Sequence, residues 1–479
     1  MHVLNARDRH LVGRFSYGVT PELARDVRRA GGAKAWFEQQ LTPARVPDRS
    51  AAALRRWWPS LDRGPTDLWQ RQKAGVEFGW EVMADYQRWV LLRRMRSRRQ
   101  VLEVMTEFWE HHFNVPANGD AAFTWRADFG HVVRERALGR FSDLLQAAAT
   151  HPAMLIALDN VSSTREHPNE NLGRELLELH TVGRGNYDEA DVKHSARILT
   201  GWTVDMWATF KAEYDKDAHA RGRVHVLGFK AGNHAADGRA VTRDYLRYLA
   251  RHPDTARRIA RRLAVKFVRD DPPPRLVNRL ARLYLAHDTE IRPVLQALVA
   301  SPEFARAKGA KVRDPGEDLV ATYRALGVQV RRPPAGKAGE SYAANQLLWQ
   351  CGSIGLKPFD WPRPDGQPID NLSWSSPARL VASMQVHRSL AGGWYPATGA
   401  TYRKPARWLP QKSVRFDHLV DHISLQVLHR RAGPRLVTAC AQATGVKPHE
   451  RITADHAIVR WQMPQLLSTV LDSPAHLTR

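Results

Sequence analysis

Apolar residues recur at helical spacing along nearly all of this chain and almost nowhere alternate as a half-buried strand requires. That rhythm leaves a parallel sheet without material and predicts an all-α fold, a large multi-helix body with long irregular loops. Local punctuation agrees. Thr20-Pro21, Ser97 with Gln100 three residues on, Asn169 after Pro168, and Asp188-Glu189 read as helix starts. Gly31-Gly32 and Gly392-Gly393 read as stops. Two stretches break the rhythm. From 203 to 243 the chain makes a long excursion with at most a minor strand pair near 224–229. From 352 to 374 it is rich in Pro and Gly, and Phe359, Trp361 and Trp374 predict an ordered loop docked on the helices. With 479 residues, 43% of them apolar, the chain can bury a large core. We expect a main helical domain over 1–306 carrying the candidate site, and a C-terminal helical subdomain over 307–479 packed on it.

No apolar run approaches the ~20 residues needed to span a bilayer, and MHVLNARDRHLVGRF has no export h-region. Cys351 and Cys440 cannot build a disulfide framework. A cytoplasmic protein with no membrane span is the expectation. No P-loop, GxGxxG, GxSxG, HExxH or zinc-type cysteine pair occurs. The formal charge of +23 suits either a polyanion-binding surface or arginines spread over solvated helix faces. Arg257, Arg258, Arg261, Arg262 and Lys266 form the best basic stripe, and we read it first as a surface face.

The chemistry concentrates between Ala147 and Trp202, with one helix outside it. On the helix ending EFWEHHF, Val101, Val104, Met105, Phe108 and Trp109 make a wide apolar face. His112 falls in its middle, while Glu103, Glu107 and Glu110 line the polar side. An imidazole aimed into a core needs a hydrogen-bond partner or a metal. On the helix from Asn169 to about Val182, His180 points among Leu172, Leu176, Leu177 and Leu179. Glu175 and Glu178 lie on the opposite arc with Asn171, and Arg174 stands beside them. Glu178 and His180 are about 160° apart on a regular helix, so ELLELH is no self-contained metal site.

Three functions follow. The first is an enzyme in which His112, His180, Glu175 and Glu178 supply acid–base groups, or His112 and His180 ligate a single divalent metal drawn from several helices. Redox and hydrolytic chemistry are equally compatible with it. Asn169, Glu170, Asn171, Arg174, Asp188, His194, Arg197 and His219 would form the supporting polar network. The second is a non-catalytic helical scaffold or binding protein whose His/Glu/Asn motifs hold helices in register. The third is polyanion binding through the Arg257–Lys266 stripe.

A series of motifs in order along the chain, including HLVGRFSYGVTP, AWFEQQL, FWEHHFNV, PNENLGRELLELHTVG, YDEADV, ARILTGWTV, ARRLAVKFVRDDPP and PFDWPRPDGQP, resembles the bacterial family catalogued as domain of unknown function 1800. The resemblance implies a mostly helical protein with no established activity. It also implies an alkaline-phosphatase-like protein as a partner and, for many relatives, export. Family members often carry FWHNHF where this chain has FWEHHF. His112 matches the second family histidine and Glu110 replaces the first, on the far side of the helix from His112.

Overall fold

The computed structural model describes residues 3–119, 121–334 and 342–479. Helices follow one another through this length, and the strands form four separate two-stranded antiparallel pairs. Val224–Val226 pairs with Phe229–Ala231, where the sequence pointed to a hairpin. The other pairs join Trp202–Val204 to Ala212–Tyr214, Gln329–Val330 to Ala400–Thr401, and Ser413–Arg415 to Arg451–Thr453. All are three residues long or shorter, too brief for periodicity to register. The fold is all-α with these strand pairs as clips.

Several helix starts follow the side-chain chemistry. The Thr20 side chain accepts from the Leu23 amide, Asn169 from Asn171, and Asp188 from Asp191, each capping a donor the helix cannot satisfy itself. Ser97 does something else. It closes the Gly79–Arg96 helix, and the next helix begins only at Gln100. Gln100 then donates to the Arg94 and Ser97 carbonyls and accepts from the Tyr17 amide, so its side chain ties a corner instead of completing a capping box.

The Gln100–His112 helix is the axis of the molecule. All of its residues are buried, because the Ala33–Gln40, Gly79–Arg96 and Arg126–Arg136 helices pack around it. Its carboxylate side therefore faces protein, not water. Glu103 pairs with Arg93 and Arg134, Glu107 with Arg94, and Glu110 with Arg126. Each of these buried carboxyl groups has a guanidinium within 3.0 Å, a pairing that offsets the cost of removing them from water.

The Pro253–Phe267 helix corrects the expectation of an outward basic face. Arg257 is exposed against Asp254, but Arg258, Arg262 and Lys266, spaced by four, turn inward. Arg258 donates to the Leu179 carbonyl at 3.1 Å, Arg262 lies over Phe108, and buried Lys266 meets Glu317 at 2.8 Å. The stripe is helical as expected. Arg257 and Arg261 stay exposed, while Arg258 and Lys266 turn inward to a carbonyl and a carboxylate.

The Pro/Gly-rich segment docks as its aromatics required. Phe359 is fully buried, and Asn114 donates to the Trp361 and Arg363 carbonyls at 3.0 and 2.8 Å. Gly366 presses on the backbone of His111, where an added Cβ would stand 1.8 Å from the His111 carbonyl oxygen. Only glycine fits this approach. No helix among the described residues is long and apolar enough to cross a membrane.

Candidate functional site

His112 and His180 meet. His112 ends its helix, and His180 ends a turn of wider pitch, Leu176–His180, that follows the regular Glu170–Glu175 helix. The continuous α-helix expected from Asn169 to Val182 thus loosens into a π turn, a form that sequence periodicity does not distinguish. The two rings lie 5.7 Å apart between centroids, with their planes inclined at 66°. Each bonds the other's main chain: His112 Nε2 to the His180 carbonyl at 3.0 Å, and His180 Nδ1 to the His112 carbonyl at 2.8 Å. A carbonyl can only accept, so His112 carries its proton on Nε2 and His180 on Nδ1.

The surroundings keep both rings neutral. Trp109, Phe113 and Phe141 pack around His112. Burial, then the nearby Arg262, holds His112 well below the ordinary histidine range. Burial likewise brings His180 down to about 3. His112 Nδ1 and His180 Nε2 have no hydrogen-bond partner among the described residues.

Glu178 does not face these rings. It accepts from Arg184 at 2.6 Å and from the Tyr187 hydroxyl at 2.6 Å, contacts that hold its carboxyl below the usual range. Glu175 is half-buried, and burial together with neighbouring Glu178 raises its carboxyl. The residues named as a supporting network fall into separate groups. Asn169 and Asn171 reach Asp159, and Arg174 bridges Glu170 and Glu189. Asp188 caps its helix, His194 accepts from the His225 amide, and Arg197 donates to the Arg221 and Arg223 carbonyls. His219 is buried against Asn233 and the Thr200 backbone. Only His194 and Arg197 among them fasten the 203–243 excursion to the Glu189–Leu199 helix. None of these bonds involves His112 or His180.

Among the described residues, two groups place three potential metal-ligand atoms within 4.8 Å of one another, and neither includes His112 or His180. Both are centred on the Pro315–Leu326 helix. In the first, Glu107, Asp314 and Glu317 surround the Lys266 ammonium, at 3.9, 3.8 and 2.8 Å respectively. Lysine already supplies the cation there. In the second, Asp318 accepts from Arg379 at 3.0 Å and Ser383 at 2.6 Å, and lies 3.1 Å from His387 Nε2. His387 Nδ1 in turn lies 2.8 Å from Asp472. Burial alone would expel the proton from His387, but Asp318 and Asp472 raise it to about 9. His476 adjoins at 3.9 Å from Asp318 and bonds Thr322 at 2.9 Å. A proton and a guanidinium thus balance the two carboxylates, so the donor set is complete without a metal.

Sequence reasoning missed all of these except Glu107, read as part of a polar helix side, and Lys266, which it placed on the surface. Asp314 with Glu317 three residues on does carry the signature of a capping box, and the structure has one there. Asp318, His387 and His476 come from three distant segments and leave no local signal.

No curated protein and no solved structure matches the chain. The sequence profile of the family described as "Protein of unknown function (DUF1800)" matches residues 10–478, and the chain belongs to that family.

Proposed function

We propose that this protein is a helical scaffold or binding protein in which the His112–His180 pair and the PNEN and ELLELH motifs are structural polar networks. The reciprocal ring-to-carbonyl bonds carry this reading. Each imidazole spends its one proton fixing the end of the other's helix, inside an aromatic cluster that disfavours charge. Such a group is poorly placed to shuttle protons near neutral pH. Glu178, committed to Arg184 and Tyr187, holds the turn that follows. The division into a main body over 1–306 and a C-terminal subdomain over 307–479 belongs to the same proposal.

The test is metal analysis and urea unfolding of tag-free protein beside H112A and H180A. We expect no stoichiometric metal in any of them and lower stability in both variants. One equivalent of bound metal in the parent, lost in H112A, would restore the metal-enzyme reading with His112 and His180 as ligands.

A further inference from the structure

A cavity of about 220 Å³ opens between the Ala6–Arg14 helix, the segment 308–313, the Pro315–Leu326 helix and the last turn of the chain. Arg9, Lys308, Arg313, Arg430 and Arg479 line it, and among the described residues no Asp or Glu does. His10 and His476 complete its polar wall. The charge is graded. Lys308 and Arg430 are exposed at the mouth, while Arg313 and Arg479 are buried at 6% and 7% exposure.

The deep guanidiniums are under-satisfied. Arg313 spends Nε on the His476 carbonyl at 2.8 Å and leaves Nη1 without a partner. Arg479 pairs through Nη2 with Glu317 at 2.5 Å and leaves Nε and Nη1 bare. Behind them Arg14, fully buried, bonds only the Ala307 carbonyl at 2.5 Å and leaves two further nitrogens without partners. Among the described residues, Glu317 is the one side-chain carboxylate ion-paired with this group, and Lys266 shares it. Buried cations without counter-ions are costly, and guanidinium forks match oxyanions in geometry as well as charge. His10 shows the same field, since burial and then Arg14 bring it down to about 4.

We propose that this cavity is a binding site for a small multivalent oxyanion, of the phosphate type, held by Arg313 and Arg479 at the floor and attracted by Arg9, Lys308 and Arg430 at the mouth. The inference deepens the binding reading by naming a ligand class, and rests on that reading only in treating the occupant as ligand, not reactant. The cavity shares no residue with the His112–His180 pair, so the two stand or fall by different measurements.

Calorimetric titration of the full chain with inorganic phosphate, with glycerol phosphate and with succinate, at constant ionic strength set by chloride, tests it. We expect one site per chain, with both phosphate probes binding at least tenfold more tightly than succinate. R313M should lose at least tenfold in phosphate affinity. R430Q, exposed at the mouth, should lose a few-fold in phosphate affinity. Succinate binding as tightly as phosphate would change the ligand class to carboxylates and overturn the phosphate assignment. Absence of saturable binding, or phosphate binding untouched in both R430Q and R313M, would overturn the site itself.

Discussion

The His112–His180 pair and the charged network on the Pro315–Leu326 helix solve the same problem in opposite ways. Both bury polar side chains near the centre of the protein. The histidine pair does so without charge, each ring neutral and bonded to a carbonyl of its partner's segment. The network keeps charge and cancels it, with Lys266 among three carboxylates and His387 protonated between Asp318 and Asp472. The pair lies in motifs that catch the eye in sequence, whereas the network is assembled from residues far apart in the chain. Visibility in sequence and electrostatic stake are therefore poorly coupled in this protein.

That contrast can be broken by experiment, beginning with the network. D318N keeps the shape of the side chain but leaves Arg379 and His387 facing a neutral group. Breaking one partner out of a buried ionic cluster costs about 3–5 kcal/mol. Urea unfolding should show a loss of that order, and a loss no larger than for a surface pair would remove the distinction drawn here.

Opposite pH limbs should follow from the two regions. His387 holds its proton up to about 9 when folded against an ordinary 6.5, so its contribution is whole below about pH 6.5 and drains away as pH rises through 9. His180 behaves inversely. Its folded value of about 3 lies below the ordinary 6.5, so its contribution is whole above about pH 6.5 and is lost as pH falls toward 3. In unfolding free energies measured from pH 4 to 9.5, H387Q should flatten the alkaline limb and H180Q the acid limb. Both variants flattening the same limb would contradict the assignment of charge to one region and neutrality to the other.

H112F comes next in size. It removes one ring-to-carbonyl bond and leaves the His180 carbonyl without that donor, for a loss of about 1–3 kcal/mol by urea unfolding. A loss matching D318N would mean that the pair carries more than two hydrogen bonds. E178Q should move the unfolding midpoint least, because Arg184 is solvent-exposed and such pairs are weak. A larger loss from E178Q than from H112F would reverse the order of the two faces of ELLELH.

Much of the fold was legible in the chain because helix caps and apolar spacing are local. Thr20, Asn169 and Asp188 each do what their residue type and position announce. His112, His180, Glu175 and Glu178 were expected to share one pocket; the two imidazoles lie together, while Glu178 turns to Arg184 and Tyr187. The direction of charge was not legible. Glu103, Glu107 and Glu110 form a polar stripe indistinguishable from a solvated one until Arg93, Arg94 and Arg126 arrive from other helices. The inward turn of Arg258, Arg262 and Lys266 fails for the same reason, because a helical wheel gives a face but not its neighbour. The π turn at 176–180 escaped because it alters pitch without altering composition.

The central claim is that His112 and His180 are neutral and fixed by each other's backbone. Long-range proton–nitrogen NMR of histidine-labelled protein, with the two signals assigned from H112Q and H180Q, reads this directly. We predict a proton on Nε2 of His112 and on Nδ1 of His180, both unchanged from pH 5 to 8 and on addition of zinc. A ring protonated in that range, or a nitrogen shift on metal addition, would contradict it.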